Sequence, residues 1–360
     1  MKRIGILTGG GDAPGLNAVI RAAVKTAINQ FGCEVVGIRN GYDGFLEKDG
    51  IIPLGVEAVR GILPRGGTIL GAANRGNPYA RKVIRDGQEV TIDVSDEIVK
   101  GIREQKLDAL LVLGGDGTLH IAHELARKGV PVIGVPKTID NDIGGTEITF
   151  GFDTALNIAT EALDRLHTTA ESHHRAMVVE LMGRDAGFIA LNAGVSGGAD
   201  VILIPEIPFK FESIMKKIRE RADKGRKFSL LAVSEGAKPM GGGQVYSRKG
   251  DEVYVPRLGG IGQVVAEYIE DQGFESRVTV LGHVQRGGTP TAFDRWLATR
   301  YGAAAVRLAA RGGFDRMVAL ASGEITDIEL AKAVAVPKRV NPEGDAVITA
   351  RNIGISFGDE

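Results

Sequence analysis

The sequence predicts an α/β fold with mainly parallel sheets wrapped by helices on both faces. Short apolar runs alternate with segments whose apolar residues recur at helical spacing along nearly the whole chain, and strands separated by helices pair in parallel. The 51 glycines, about twice the average usage, cluster where those runs end. At 360 residues the chain has the length of about two domains and buries a large core.

The first unit is a strand over 3–7, the turn Thr8-Gly9-Gly10-Gly11-Asp12-Ala13-Pro14-Gly15, and a helix carried by Leu16, Val19, Ile20, Ala23, Val24, Ala27 and Ile28. The turn lacks the Gly-Lys-Ser/Thr ending of a P-loop and the strict G-x-G-x-x-G spacing, so a phosphate loop and a tight βα turn are both open readings. The strand over 33–38 holds Cys33, the single cysteine, which excludes a disulfide framework and a cysteine zinc site. An irregular loop over 65–78 carries Arg65 and Arg75, and a short helix follows Val94-Ser95-Asp96.

The stretch with the most chemistry comes next. An apolar strand over 109–113 breaks at Gly114-Gly115-Asp116-Gly117-Thr118 and resumes as a helix through Leu119, Ala122, Leu125 and Ala126. Free N–H groups at a helix start attract anions, and glycines let a phosphate approach the backbone. Asp116 beside an anion calls for a cation, and magnesium suits. After a strand over 130–135, Pro136 is followed by Lys137-Thr138-Ile139-Asp140-Asn141-Asp142. Lys137 and Thr138 can bind phosphate oxygens; Asp140 and Asp142 can serve as base and metal ligand, or simply as turn residues. Together the groups suit phosphoryl transfer.

Beyond it, a helix through Phe152, Ala155, Leu156, Ala159, Ala162, Leu163 and Leu166 leads to Ser172-His173-His174-Arg175, and a strand over 176–181 ends in Met182-Gly183-Arg184. Further strands are expected over 201–204 and 228–233, the latter ending in Ser234-Glu235-Gly236. Residues 238–259 turn to Gly, Pro and charge and read as a loop or hairpin. A strand over 277–281 runs into Gly282-His283-Val284-Gln285-Arg286-Gly287-Gly288, a long helix covers 292–310, and one strand, 317–321, is expected in the last fifty residues. His283 reads as a satisfied structural histidine, or as one that binds substrate hydroxyls or titrates, the last two being equally open. A net charge of −1 gives no general attraction to nucleic acid or a membrane. No leader precedes the first strand and no membrane-length apolar run follows, so a cytoplasmic location is expected.

These motifs, from Gly9-Gly10-Gly11-Asp12-Ala13-Pro14-Gly15-Leu16-Asn17 through GGDGT, PKTIDND, SHHR, MGR, SEG and GHVQRGG, follow one another in the order of the single-unit bacterial 6-phosphofructokinases, which the chain resembles over residues 1–325. The resemblance implies two Rossmann-like three-layer domains, a nucleotide domain over 1–140 plus about 285–335 and a sugar-phosphate domain over about 141–284 plus 336–360, with the active site in the cleft between them. It implies transfer of the γ-phosphoryl of ATP to the 1-hydroxyl of fructose 6-phosphate, with magnesium as cofactor, no nucleic acid or membrane partner, and a homo-oligomer, tetramer or dimer, with shared active sites.

By the same resemblance Asp140 is the general base, and Thr138 and Arg184 hold the transferring group. Asp116 with Asp142 meets the metal, and Gly11, Arg75, Gly115, Gly117, Thr118 and Lys137 line the phosphoryl donor. Thr138, Asp140, Met182, Gly183, Arg184, Glu235, His283 and Arg286 meet the sugar phosphate, and Arg175 and Arg277 reach a neighbouring subunit's site. Lysine at 137 is typical of diphosphate-using and mixed-substrate members, whereas Gly117 leaves the room that an α-phosphate needs, so ATP is favoured and diphosphate is the alternative donor. Arg21, Lys25, Lys224 and Arg226 match basic positions of the family's effector site, but His167 and Asp200 stand where allosteric members carry Arg and Glu.

Overall fold

The opening apolar run forms β1 (Arg3–Thr8), and the glycine-rich turn delivers the chain into α1 (Leu16–Phe31). There follow β2 (Glu34–Ile38), β3 (Ile51–Pro53), the hairpin of β4 (Arg81–Arg85) and β5 (Gln88–Ile92), α2 (Ser95–Glu104), β6 (Ala109–Gly114), α3 (Asp116–Arg127), β7 (Val132–Pro136) and α4 (Phe152–His173). Next come β8 (Ala176–Leu181), α5 (Phe188–Ser196), β9 (Val201–Leu203), α6 (Phe211–Asp223), β10 (Ser229–Ser234), β11 (Tyr246–Arg248), β12 (Arg257–Leu258), α7 (Ile261–Asp271) and β13 (Ser276–Val280). The chain closes with α8 (Ala292–Ala310), β14 (Arg316–Ala321), β15 (Glu324–Glu329), α9 (Leu330–Ala335) and α10 (Asp345–Asn352). The computed structural model describes residues 1–72, 77–85, 88–248 and 257–360. They divide into a first unit, Met1–Thr154 with Arg286–Pro337, and a second, Ala155–Gln285 with Lys338–Glu360.

The first unit holds a seven-stranded sheet in the order β15-β14-β7-β6-β1-β2-β3, parallel except where β3 and β15 join antiparallel at its edges. From β1 the chain builds outward through β2, then returns to lay β6 on the other side and continues through β7 and β14. The direction of winding therefore reverses between β1 and β6, and in open α/β sheets ligands bind outside the carboxyl ends of the strands at such a point. Alternate residues of β6 feed opposite layers: Leu111 and Leu113 join Ile4, Ile6, Leu16 and Tyr301 in one core, while Leu110 and Val112 join Leu7, Ile98 and Leu119 in the other. Both faces are thus buried, which is why the strand reads as one continuous apolar run. On the first face α1 and α8 approach closely, and a Cβ at Gly302 would lie 2.5 Å from the carbonyl oxygen of Val19.

The second unit holds a parallel sheet in the order β13-β8-β10-β9. Residues 238–259 contain the short antiparallel pair β11 and β12. The chain's last residues dock here as well: Ile202 N–H donates to the Ser356 carbonyl at 2.9 Å, Phe357 is fully buried, and Arg351 pairs with Asp359 at 2.7 Å. Among the described residues no helix is long and apolar enough to cross a membrane.

One expectation for the C-terminal region is corrected. The last fifty residues hold a second strand and two helices besides β14. β15 returns antiparallel on β14 through Ser322 (φ 50°) and Gly323 (φ 78°), a pair of left-handed residues that matches the twist of a tight hairpin. Only one face of this edge strand is covered, so Glu324, Asp327 and Glu329 interrupt the apolar signal. The β4–β5 hairpin was likewise hidden by its charged, half-exposed residues.

Candidate active site

Three loops of the first unit leave the carboxyl ends of β1, β6 and β7, so parallel pairing alone brings residues 9–15, 115–118 and 137–142 to one edge of the sheet. Gly9 N–H donates to the Leu113 carbonyl at 2.9 Å and Lys137 N–H to the Gly114 carbonyl at 3.0 Å, which locks the three together. Thr118 fills the space between the first two. A Cβ on Gly9 would come within 2.5 Å of its methyl and one on Gly114 within 2.3 Å of its Cβ, so glycine at both positions is a packing requirement. The N-cap residues of α1 and α3, Gly15 and Gly115, supply no side-chain cap. Two other helix starts take remote carboxylates: Asp294 accepts from Gly151 and Thr154 N–H ahead of α4, and Glu180 from Gly260 and Gly262 N–H at α7. The glycine-rich starts of α1 and α3 are suited to an external anion.

Asp116 and Gly117 are exposed in the first turn of α3. A side chain added at Gly117 would meet no atom within 4 Å. Neither packing nor backbone conformation requires glycine there, although glycine in a helix costs about 0.5–1 kcal/mol relative to alanine. Among the described residues Asp116 forms no ion pair, and no three His, Cys, Asp or Glu side chains are gathered that could hold a metal.

Lys137 is 3% exposed, and its ammonium donates to the Gly11 carbonyl. Burial, and then the nearby Arg286 cation, push it down to about 8, against the pull of Asp140, Asp12 and Asp142. Arg286 Nη1 donates to the Asp12 carbonyl at 3.3 Å, so two cations grip the same turn of the first loop. Asn17 of α1 holds a different loop, 65–69: its amide donates to the Arg65 and Gly66 carbonyls and its oxygen accepts from Ile69 N–H at 2.9 Å. Arg75, expected beside the donor, lies outside the described residues.

Asp140 is buried. Thr138 Oγ1 donates to its Oδ2 at 3.2 Å and accepts from its backbone N–H at 3.0 Å, while Oδ1 has no partner among the described residues. Asn141, at φ 55°, accepts from Thr149 N–H, and Thr149 Oγ1 returns a bond to the Thr138 carbonyl at 2.8 Å. Asp142 is half-buried on the same turn.

In the second unit, Met182–Arg184 follow β8, Glu235 follows β10 and His283 follows β13, so parallel strands again gather them at one sheet edge. The turn after β8 is unusual: Gly183 has φ 143° and Arg184 φ 51°. Glu235 Oε1 accepts from Arg184 N–H at 3.2 Å and Gly187 N–H is held by Glu206. A Cβ at Gly236 would lie 1.9 Å from the Arg184 carbonyl oxygen. Arg175 and Arg277 are elsewhere. Both sit at the amino ends of β8 and β13, across six residues of strand, about 20 Å, from Met182. There both share the Glu275 carboxylate, at 2.8 and 2.9 Å. Sequence reasoning missed Asp294, Glu180, Glu206 and the buried carboxamide of Gln285, because each has a backbone partner 80 or more residues away, which leaves no local pattern.

The family model for phosphofructokinase matches residues 3–309. The chain belongs to the phosphofructokinase family. A relative from Chloroflexus aurantiacus, named ATP-dependent 6-phosphofructokinase, is 54% identical over 360 residues, covering 100% of this chain and 98% of that protein. A relative from Amycolatopsis methanolica, named pyrophosphate–fructose 6-phosphate 1-phosphotransferase, is 51% identical over 343 residues, 95% of this chain and 97% of that one. Among solved structures, the phosphofructokinase of Saccharomyces cerevisiae has a TM-score of 0.77 at 32% identity, over 99% of this chain and 48% of that chain, so this chain spans about half its length.

Residues 167 and 200, matched by resemblance to the effector site, are engaged within the second unit. His167 packs edge-on against Phe228 with centroids 5.0 Å apart, and Asp200 pairs with Arg221 at 2.5 Å while accepting from Leu230 N–H. Both side chains are committed to contacts within the second unit.

Proposed function

We propose that the chain is an ATP-dependent 6-phosphofructokinase, which moves the γ-phosphoryl group of ATP to the 1-hydroxyl of fructose 6-phosphate and yields fructose 1,6-bisphosphate and ADP. The observation that carries the chemistry is Asp140, buried, oriented through one oxygen by Thr138 and unpaired at the other among the described residues. A carboxylate so held is suited to take a proton from an attacking hydroxyl. The sugar C1 oxygen bonds to the γ-phosphorus, its proton passes to Asp140, and the bond from that phosphorus to the β–γ bridging oxygen breaks, its electron pair leaving on ADP.

Gly11, Arg75, Gly115, Gly117, Thr118 and Lys137 serve the donor. Thr138 and Arg184 counter charge on the transferring group, and Met182, Gly183, Glu235, His283 and Arg286 bind the sugar phosphate. Magnesium fits the first unit, since an exposed Asp116 without an ion pair is the donor type for an ion shared with substrate phosphates. Asp116 with Asp142 would hold it, and it would neutralise donor charge. Arg175 and Arg277, at the far edge of the second-unit sheet, are read as contributions to a neighbouring copy's site, so the enzyme works as a cytoplasmic homo-oligomer.

Gly117 supports ATP: open space beside a helix start, kept at a cost in helix stability, is what an α-phosphate requires. Lys137 supports the second reading, transfer from diphosphate, because a buried ammonium tied to Gly11 meets a small polyanion at close range. Product formation from fructose 6-phosphate and magnesium, with ATP or diphosphate offered separately, tests the two.

A further inference from the structure

The turn after β8 is held in its left-handed conformation by side chains from several other segments, and one of them is Gln285. It is fully buried, and its Oε1 accepts from Met182 N–H at 2.9 Å across 103 residues of chain. A backbone N–H only donates, so this bond fixes which end of the carboxamide faces Met182. The Nε2 end is buried without a partner among the described residues. Ser234, also fully buried, carries a second unpaired oxygen, and that oxygen would lie 3.7 Å from a Cβ on Gly183. Unmet buried polar groups are costly and rare, and two of those among the described residues flank this turn.

We infer that Gln285 is a positioning residue for sugar-phosphate recognition: by holding Met182 N–H it sets the Met182–Arg184 turn and ties it to the segment that carries His283. This rests on the assignment of fructose 6-phosphate to the second unit. Met182 is the last residue before φ turns positive at Gly183 and Arg184. Ala186 N–H to the Gly183 carbonyl, at 3.0 Å, closes the turn, and Glu235 holds Arg184 N–H. With Gln285 absent, the entry to the turn loses the side-chain acceptor that holds Met182 N–H, and a left-handed non-glycine residue relaxes when its surroundings no longer over-determine it. A glutamine is required for reach. Asparagine is one methylene shorter, and leucine has the bulk without the acceptor.

The test is steady-state kinetics on Gln285→Leu and Gln285→Asn, varying fructose 6-phosphate and ATP separately, with native-state hydrogen exchange at Met182 in the unaltered protein. Both variants should raise KM for fructose 6-phosphate about tenfold or more with KM for ATP within about twofold, and the Met182 amide should exchange as slowly as its neighbours in β8. A folded variant with an unchanged KM for fructose 6-phosphate would overturn the inference, because a merely structural glutamine lowers thermal stability without moving KM. A Met182 amide that exchanges as fast as an exposed loop would overturn it even if neither variant folds. Failure of the unaltered protein to form fructose 1,6-bisphosphate would instead strike the functional reading.

Discussion

Thr138 and Asp140 form a closed pair: the threonine hydroxyl donates to the carboxylate at 3.2 Å and accepts from the aspartate's own N–H at 3.0 Å. One hydroxyl thereby fixes both the backbone and the side chain of the residue read as the base. Replacing Asp140 with Ser should lower kcat about 10²–10⁴-fold with KM for either substrate changed only a few-fold. Single-turnover and steady-state rates check it, and a variant that keeps most of its rate removes Asp140 from the base role.

Lys137 makes a pH prediction whose sign differs between stability and activity. Burial pushes its ammonium to about 8 in the folded chain from an ordinary 10.5. Between those values the unfolded chain binds the extra proton, so this residue makes the fold more stable as pH rises through that interval. Below it, the burial cost of the cation is fully present. Donor binding moves the other way, since the cation is lost: KM for the phosphoryl donor should climb above about pH 8 and the climb should flatten in Lys137→Met. A donor KM that ignores pH in the unaltered protein would contradict this.

Gly117→Asp tests the open space at α3. No neighbour lies within 4 Å of a Cβ there, so melting temperature should hardly change, while KM for ATP should rise about tenfold or more from charge repulsion and crowding. Titrating ATP into the variant and reading its thermal midpoint separates the two effects.

Asp294 carries the start of α4. It accepts from Gly151 N–H and Thr154 N–H at 2.8 Å and from Thr154 Oγ1 at 2.5 Å, all buried. Asp294→Ala strands these donors and should cost about 3–5 kcal/mol, read as a lower denaturant midpoint. A loss below about 1 kcal/mol would mean that water or neighbours replace the carboxylate.

Legibility in the sequence followed the range of the interactions. β6 was visible because Ala109 to Leu113 are buried on both faces, and the phosphate-type loops because glycine and aspartate change a local pattern. Parallel pairing then gathers the loop residues of each unit without further information. Gln285, Asp294 and Glu180 were opaque as individuals: each acts through a hydrogen bond to a backbone group far away in sequence, and a buried glutamine or carboxylate looks like any exposed one until the fold places it. β15 was missed for the opposite reason, since an edge strand with one covered face need not read as apolar. The separation of Arg175 and Arg277 from Met182 emerged only from the register of β8 and β13.

Phosphorylation of fructose 6-phosphate from ATP is decided by a coupled assay for fructose 1,6-bisphosphate with purified protein, magnesium and fructose 6-phosphate, offering ATP in one cuvette and diphosphate in another. Turnover with ATP is the predicted result, with Gly117 deciding the donor and Lys137 tolerated. Turnover with diphosphate alone would contradict it and give Lys137 the decisive part.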